Sequence, residues 1–568
     1  MKRDDPALAL DAEVIREPGY VGPQGTLFSW YHHAPSAPAR DVVAVLCAPF
    51  GPEYTRVHRS LRHLADRLAI AGIDALRFDY HGVGDSAGDE SDPGLFERWR
   101  ASVVEAAREA RRRSGRARVC LVGIRLGGAL AALAAEEAGA DAVALWNPVL
   151  KGRSYARELQ AMAATAKEAS GEPGAAGESK NGLESAGFRI HEETLAAVRA
   201  LDVDLERLGG RVRVSHWKRD DLPGWDAMTA DHQFTVVPEA ALDAITGWVV
   251  EQARAAEAPG AIAPAARGAL ELDGARESLC RFGPGGRLFG VLAQPRTSAG
   301  KPAVLLLNAG SIHHAGPHRL YVRLARELAD RGHPVLRLDL EGIGDSVLRG
   351  PGRENHPYSP TAQRDIADAL AFLRGEHGCT RFVVMGLCSG AYNTFQAGLH
   401  AEDAGIERLV MINPWYFQWR EGLSLDTTIS SHYEDVAAYG RSARDPERWK
   451  RLLRGEADLG RLARVALAHA AKVVRGRWDD LREIVVPSSG TPLSRDIRKI
   501  TARGRRMHVI LSDGEPAAAL LDTEAKRAVG RAKKAGLFHL ERIVGGDHTF
   551  SREGPRIALI ARIVEILG

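Results

Sequence analysis

Cysteine is scarce in this chain, whose 568 residues include five cysteines with no closely spaced pair among them. An odd number of widely separated cysteines argues against a disulfide framework and against a Cys-x-x-Cys zinc site. Free thiols persist in reducing compartments, so the composition predicts a cytoplasmic protein.

An excess of charge of one sign is also lacking. The 76 basic and 73 acidic residues leave a net charge of +3, which gives no reason to expect a nucleic acid or an anionic membrane as partner. No stretch approaches the run of about 18 apolar residues that suggests a membrane span. The N-terminal segment has acids and a proline where a signal peptide has its apolar core. We therefore expect a soluble protein without a membrane span.

The chain does contain an internal sequence repeat. Residues 57–86 match residues 317–346 without a gap, and shorter matches lie before and after them. Equivalent residues keep a nearly constant separation, 260 positions for Asp79 and Asp339 and 263 for Arg125 and Cys388. A repeat of this length indicates two tandem domains rather than a solenoid.

Within each copy, short apolar strands alternate with amphipathic helices. This pattern predicts an α/β fold in which each domain has a mostly parallel sheet with helices on both faces. Ligands of such sheets bind at the carboxyl ends of the strands. We place the first domain at residues 1–250, an Ala/Pro-rich linker at 251–274 and the second domain at 275–568.

Each copy contains a strand that enters a helix through a turn with a glycine on either side. The turns are Gly123-Ile124-Arg125-Leu126-Gly127 and Gly386-Leu387-Cys388-Ser389-Gly390. With the repeated turns DYHGVGDS and DLEGIGDS, they resemble the α/β-hydrolase fold, most closely its serine-aminopeptidase-like branch. The resemblance covers nearly the whole chain, twice, and implies two tandem α/β-hydrolase domains.

The resemblance implies a catalytic triad in the second copy. Cys388 stands where the family has its nucleophile, at a helix N-terminus that favours a thiolate. His548, in a glycine-rich turn before the last helix, is at the family's histidine position. The acid is expected after the preceding strand, where Glu515 is favoured by a Ser-x-x-Glu-Pro spacing and Asp513 is the alternative.

The same resemblance implies an oxyanion hole and a lid. The amide of Ser389 and one amide from the segment LNAGSIHHAGPHR, that of Gly310 or Ser311, are expected to bind the oxyanion. The insertion at about residues 416–506 is expected to form a lid over the pocket, or to consist of helices packed on the core. We interpret His313 and His314 as pocket-lining or solvated residues, and we expect no cofactor and no metal.

The first copy has Arg125 where a nucleophile is needed. The first copy has an acid and a histidine near the positions of the triad, but their spacing is irregular. Only 12 residues separate Asp220 from His232, whereas 33 separate Glu515 from His548. A strand is therefore expected to be missing or misplaced, and the domain to be a pseudoenzyme. Arg125 is expected to pair with an internal carboxylate, Asp220, Asp221 or Asp231, or else with an anionic ligand.

The function that these features imply is acyl transfer. The first hypothesis is hydrolysis of an ester or thioester, free or attached to a carrier, through a covalent acyl-cysteine. The second is an acyltransferase that passes the acyl group to an alcohol, amine or thiol. The third, from a different class, is a non-catalytic protein that binds an anionic ligand near Arg125.

Overall fold

The computed structural model describes residues 14–22, 24–170, 178–179, 182–185, 187–257, 262–265, 267–297, 300–348, 352–401, 405–420 and 490–568. It divides into two compact units. The first consists of Met1–Pro357 with Phe550–Gly568, and the second of Tyr358–Thr549. Most of the predicted lid, residues 421–489, lies outside the described residues.

The first unit begins with a seven-stranded sheet in the order β1-β2-β4-β3-β5-β6-β10. Its strands are β1 (Ile15–Val21), β2 (Leu27–His33), β3 (Val42–Cys47), β4 (Ala75–Phe78), β5 (Arg118–Ile124), β6 (Ala142–Trp146) and β10 (Arg213–Trp217). The strands from β4 to β10 in this order are parallel, whereas β1 and β2 run antiparallel to their neighbours. The central strands β3, β5 and β6 are buried along almost their whole length, because helices cover a parallel sheet.

The helices of this part connect the strands as the sequence alternation predicts. They are α1 (Pro52–Ile70), α2 (Leu95–Ser114), α3 (Leu126–Ala134), α4 (Gly152–Ser170), α5 (Glu192–Ala200), α6 (Leu205–Gly209), α7 (Trp225–Met228) and α8 (Glu239–Gln252). Between α4 and α5, a small antiparallel sheet is formed by β7 (Glu178–Ser179), β8 (Gly182–Ser185) and β9 (Phe188–His191).

The first unit also holds the opening strands of the second copy, in the order β11-β12-β13-β15-β14. They are β11 (Ala269–Glu271), β12 (Ala275–Phe282), β13 (Leu288–Pro295), β14 (Ala303–Leu307) and β15 (Val335–Leu338). Helices α9 (Leu320–Asp330) and, at the end of the chain, α15 (Glu553–Leu567) belong to the same unit. Strand β11 lies inside the predicted linker 251–274 and pairs with β12, so part of that segment is sheet.

The second unit has four parallel strands in the order β16-β17-β18-β19. They are β16 (Phe382–Leu387), β17 (Ile406–Ile412), β18 (Arg506–Leu511) and β19 (Phe538–Arg542). Its helices are α10 (Ala362–His377), α11 (Ser389–His400), α12 (Pro492–Ala502), α13 (Ala517–Glu524) and α14 (Lys526–Lys534).

The two copies differ at the end of the sheet. In the second copy β18 is followed by β19, whereas the sheet of the first copy ends at β10. The described residues 218–253 that follow β10 form α7, a 3₁₀ turn at His232–Phe234 and α8, and contain no strand. The irregular spacing of the first copy thus reflects a missing strand. None of the described helices is long and apolar enough to cross a membrane.

Candidate active site

Cys388 lies at the turn between β16 and α11, as the residue immediately before the helix. Its backbone has φ 58° and ψ −116°, a conformation that non-glycine residues rarely adopt. The flanking glycine is required, since a Cβ on Gly386 would lie 2.3 Å from the backbone of Gly390. The turn therefore holds Cys388 in a strained conformation at the carboxyl end of β16.

The first copy keeps the same corner without a nucleophile. Arg125 has φ 54° and ψ −122°, nearly the values of Cys388. A Cβ on Gly127 would lie 2.2 Å from the carbonyl oxygen of Ala48, so the helix packs against the neighbouring strand end as closely as the glycine allows. The shape of the turn is preserved although its chemistry is not.

His548 and Glu515 form a hydrogen-bonded pair in the second unit. The Nδ1 of His548 donates to Oε1 of Glu515 at 2.8 Å. Ser512 places its hydroxyl 3.3 Å from the same carboxylate oxygen. Glu515 is nearly buried and the imidazole is 23% exposed, so the pair is shielded from solvent but within reach of a ligand. A carboxylate in this position fixes the ring and the tautomer of a general base.

The alternative acid, Asp513, makes a different contact. Its Oδ2 accepts a hydrogen bond of 2.6 Å from the backbone amide of Gly545, in the loop that leads to His548. Asp513 thus fastens the histidine loop, whereas Glu515 contacts the imidazole itself.

The electrostatics of His548 reflect its two neighbours. Burial lowers the pKa of the imidazole, but the Cys388 thiol and the Glu515 carboxylate outweigh burial and raise the pKa from 6.5 to about 10. No hydrogen-bond partner of Nε2 is found among the described residues, but the Cys388 thiol is close enough to raise the pKa of the imidazole. The arrangement favours the protonated imidazole.

Aromatic side chains, which the sequence patterns did not single out, lie next to this pair. The indole of Trp415 lies against the His548 ring with centroids 4.5 Å apart. Tyr358 stacks on Trp419 at 4.2 Å, and Tyr416 packs against both. Burial and then the Cys388 thiol raise the pKa of Tyr358 and Tyr416, which places both phenols near the thiol.

Asn413 also belongs to the site, although the sequence patterns did not single it out. Its Nδ2 donates to Ser512 Oγ at 3.0 Å and to the carbonyl oxygen of His548 at 2.8 Å, while its Oδ1 accepts from the Ser512 amide at 2.8 Å. One buried amide therefore ties the histidine to the loop of the acid. The signal was present in the sequence, because Asn-Pro follows the same strand in both copies, as Asn147-Pro148 and Asn413-Pro414.

The residues predicted for the oxyanion hole fall in different units. Ser389 is the first residue of α11 and is buried. Gly310, with φ 58°, and Ser311, whose hydroxyl donates to the carbonyl oxygen of Asn355, belong to the first unit. Their role as oxyanion donors stays a prediction.

Arg125 pairs with carboxylates of its own domain, but the prediction that these are Asp220, Asp221 or Asp231 is wrong. Its guanidinium binds Glu53 at 2.9 Å, forms a second ion pair with Glu158, and lies over the ring of Tyr155. Both carboxylates come from helices that flank the turn, α1 and α4. The three aspartates proposed for this pairing have other contacts: Asp220 and Asp231 pair with arginines 219 and 56, and Asp221 accepts from the amide of residue 218.

Of the two interpretations of His313 and His314, solvation is wrong, whereas both residues do line a small cavity. Both are buried, and both ring nitrogens of His314 bond to carboxylates, Nδ1 to Asp339 at 2.8 Å and Nε2 to Asp85 at 2.6 Å. In the described part of the chain, His314, Asp339 and Asp345 bring three possible ligand atoms within 4.8 Å of one another. Because both imidazole nitrogens already carry hydrogen bonds, this cluster is organised as ion pairs.

Two family models match the chain, one in each copy. The model described as serine aminopeptidase, S33 matches residues 54–179, and the model of the alpha/beta hydrolase family matches residues 304–560. No curated protein is similar enough to the chain to match it. The two matches support a hydrolase enzyme.

Several solved structures are similar to the chain. An a/b serine hydrolase without lid from Xanthomonas campestris is 22% identical over 24% of this chain, which spans 62% of that protein, with a TM-score of 0.21. An esterase from Pyrococcus furiosus is 12% identical over 51% of this chain and 91% of its own, with a TM-score of 0.30. Carboxyl esterase 2 from Tuber melanosporum is 16% identical over 52% and 86%, also with a TM-score of 0.30.

Proposed function

Because the chain folds as two tandem α/β-hydrolase domains, each with a mostly parallel sheet and flanking helices, we propose that its second domain hydrolyses an ester or thioester through Cys388. The observation that carries the proposal is the 2.8 Å hydrogen bond from His548 to Glu515, in the same unit as a cysteine at a strained strand-to-helix corner. Nucleophile, base and orienting acid are the three parts that acyl transfer requires.

The reaction proceeds in two halves. The Cys388 thiolate attacks the acyl carbon, and the Ser389 amide binds the tetrahedral oxyanion. As the bond to the leaving alcohol or thiol breaks, the His548 imidazolium gives it a proton. In the second half, His548 takes a proton from water while the water oxygen attacks the acyl-cysteine. The products of this half are a carboxylic acid and the regenerated Cys388.

The first domain is proposed to be a pseudoenzyme. Arg125 has no nucleophilic atom, and its guanidinium is occupied by two carboxylates of its own domain. His232 sits in a 3₁₀ turn and bonds to Thr55 at 2.8 Å, and the sheet of this copy has no strand after β10 in the described residues. These features support a scaffolding role for the first copy.

The test uses two cysteines that are both partly accessible, Cys388 and Cys379. Cys388→Ala is expected to abolish turnover of p-nitrophenyl esters and acyl-thioesters of graded chain length, whereas Cys379→Ala keeps wild-type kcat. Iodoacetamide is expected to label Cys388 quickly in the wild type and at least tenfold more slowly in His548→Asn. Turnover by Cys388→Ala would show that the nucleophile is wrongly assigned.

The other hypotheses are separate outcomes of the same experiment. Acyl-cysteine that accumulates without hydrolysis and is discharged only by an added alcohol, amine or thiol identifies an acyltransferase. Labelling of Cys388 that does not depend on His548, together with no turnover of any ester, identifies a binding protein.

A further inference from the structure

The indole of Trp415 packs on the imidazole of His548 within the second unit. The ring centroids are 4.5 Å apart and the ring planes differ by 36°, which is nearer to a stacked than to a perpendicular arrangement. Glu515, by contrast, meets the edge of the same ring, at Nδ1. Trp415 therefore covers a face of the imidazole, and the two contacts act on it from different directions.

Trp415 is placed by the segment that follows β17. Asn413 has φ 44°, and its amide donates to the carbonyl oxygen of Ile510 at 3.0 Å, so this segment turns beside the end of β18. The side chain of Asn413 also donates to the carbonyl oxygen of His548 at 2.8 Å. The tripeptide Asn413-Pro414-Trp415 thus contacts the histidine twice, once at its backbone and once at its ring.

The first copy has the same Asn-Pro turn with a different residue after it. Asn147 has φ 49°, and its amide donates to the carbonyl oxygen of Trp217, the last residue of β10, at 2.7 Å. The residue that corresponds to Trp415 is Val149, which is buried in the core of that copy. Trp415 is partly exposed. The turn therefore folds without an aromatic side chain, and the tryptophan occurs in the copy that has the cysteine and the hydrogen-bonded histidine.

The hydrogen bond to Glu515 alone does not determine the direction of Nε2 of His548. A ring that is held by its Cβ and by one hydrogen bond at Nδ1 can still tilt about the line through these two atoms. A flat indole against the face of the ring restricts this tilt, because the tilting ring would collide with it. Trp415 thus supplies the contact that fixes the plane of the imidazole.

The groups that face the imidazole come from three elements. Burial lowers the pKa of His548, whereas the thiol of Cys388, at the start of α11, and the carboxylate of Glu515, after β18, raise it. The segment after β17 contributes the neutral indole of Trp415. On the loop of the histidine itself, Asp547 is exposed. Since the face of a tryptophan attracts a cation, the indole adds to the effect of the thiol and the carboxylate.

We propose that Trp415 is a positioning residue for His548, because its indole fixes the plane of the imidazole, and with it the direction of Nε2, and stabilises the protonated ring. The proposal rests on the proposed function, in which this protonated ring gives its proton to the leaving group. It assigns a task to the residue after the Asn-Pro turn, which in the first copy is only part of the core.

The chain provides a matched control in Trp419. This tryptophan lies four positions further along the same segment and is also partly exposed. Its ring contacts within the described residues go to Tyr358 and Tyr416 rather than to His548. Trp419→Leu therefore makes the same substitution in the same segment and leaves the face of the imidazole covered. Trp415→Phe is the conservative variant, since it keeps an aromatic face at the position of Trp415.

The first measurement needs no substrate. The imidazole of His548 is titrated by NMR in the full chain with ¹³C-labelled histidine, and its signal is assigned by its absence from His548→Asn. Trp415→Leu is expected to lower the pKa of this imidazole by about 0.4–1.5 units, because the cation loses its aromatic face. Trp415→Phe should lower it by a smaller amount, and Trp419→Leu should leave it at the wild-type value.

The second measurement uses an ethyl ester and a p-nitrophenyl ester of the same acid. A p-nitrophenolate leaves without a proton, whereas an ethoxide group needs one, so the ethyl ester depends more strongly on the direction of Nε2. Trp415→Leu is expected to lower kcat/KM about tenfold or more for the ethyl ester and by a clearly smaller factor for the p-nitrophenyl ester. Trp419→Leu should leave the ratio of the two values at that of the wild type, and Trp415→Phe should restore most of it.

The outcomes separate this proposal from the proposed function. Equal pKa values of His548 and equal ester ratios in Trp415→Leu and Trp419→Leu would overturn the positioning role, whatever the activity of the wild type. If Trp415→Leu does not fold, Trp415→Val takes its place, because valine occupies the corresponding position of the first copy. If the pKa falls as expected but the wild type turns over neither ester, the proposed function fails while the hold of Trp415 on the imidazole stands.

Discussion

Arg125 occupies a position that in a parallel-sheet hydrolase belongs to the nucleophile, and the domain neutralises it from two sides. Glu53 is largely buried, and burial raises its pKa while the Arg125 charge opposes that rise. Glu158 is 51% exposed and adds a weaker, solvent-screened pair. The guanidinium is therefore part of the packing of α1, α4 and the turn.

The first prediction concerns stability at this residue. Arg125→Met leaves Glu53 buried without its cation, so we expect a loss of about 1–3 kcal/mol in unfolding free energy with KM and kcat unchanged. Calorimetry and ester kinetics measure the two effects. Adding Glu53→Gln should recover part of the lost stability. A rise in KM, with loss of any stabilisation by added phosphate or carboxylates, would indicate a ligand site instead.

The second prediction separates the two acids near His548. Glu515→Gln removes the carboxylate that orients the ring, so we expect kcat to fall by a factor of about 10²–10⁴. Asp513→Asn keeps an acceptor for the Gly545 amide, and we expect kcat within a factor of about ten of the wild type. If the Asp513 variant lost more activity than the Glu515 variant, the assignment of the acid would be reversed.

Residue identities in the site could be predicted only where local sequence decides them. Cys388 and His548 are predicted from the family resemblance, at a glycine-flanked turn and at the family's histidine position, and their catalytic roles stay predictions. Glu515 and Asp513 share one loop, and only their side-chain directions distinguish them. The partners of Arg125 could not be predicted, because Glu53 and Glu158 reach it from helices distant in sequence and on different sides.

At the scale of elements, the strand-to-helix turn at Cys388 requires a residue without a side chain at position 386. The third prediction is that Gly386→Ala lowers both stability, by about 1–3 kcal/mol, and the kcat of the folded protein, because a Cβ there must displace the start of α11. Gly123→Ala is the matched control, since its Cβ would meet Gly128 at 2.5 Å in the first copy. It should lower the melting temperature with kcat unchanged. Active-site titration corrects both values for unfolded protein.

The missing strand of the first copy has its own consequence. The fourth prediction is that Arg125→Ser creates no second nucleophile, because His232, whose Asp-His sequence echoes that of His548, bonds to Thr55 instead. A fluorophosphonate probe followed by peptide mass spectrometry should leave residue 125 unmodified. Labelling at that position would mean that the first domain is not a pseudoenzyme.

The order and type of most elements could be predicted, because apolar strands and amphipathic helices differ in period. Strand β11 could not, since three residues in an Ala/Pro-rich segment carry no periodic signal and depend on pairing with β12. The aromatic residues beside Cys388 were missed for a similar reason. Tyr358 and Trp419 are 61 positions apart, and only the folded chain stacks them.

At the scale of the whole molecule, the repeat predicted two domains but not the ion pairs within the first unit. A repeat shows only that two segments fold alike. In the folded chain, Arg77 of the first copy binds Asp345 of the second, and Arg337 of the second copy binds Asp85 of the first. Each of these ion pairs joins residues more than 250 positions apart. Buried pairs of this kind stabilise only when complete, because an isolated charge left by one substitution is costly. The first unit thus depends on many carboxylates staying ionised.

The fifth prediction follows from this dependence and concerns acid stability. Burial raises the pKa of Asp66, but Arg16 and His32 outweigh burial and hold it well below its usual 3.8. A carboxyl group with a lowered pKa contributes stability above pH 3.8 that is lost as the pH falls further. Asp66→Asn should therefore lower the melting temperature at pH 5 by roughly 3–8 °C, but show a smaller further drop between pH 5 and pH 3 than the wild type.

Asp220, whose side chain is 92% exposed, provides the control for this titration. Asp220→Asn should keep the wild-type melting temperature at both pH values, because the exposed ion pair of Asp220 with Arg219 contributes little to stability. Calorimetric scans at pH 5 and pH 3 compare the three proteins. If Asp66→Asn and the wild type lost the same number of degrees between these pH values, Asp66 would not be among the carboxylates whose protonation unfolds the first unit, and its bonds to Arg16 and His32 would serve packing alone.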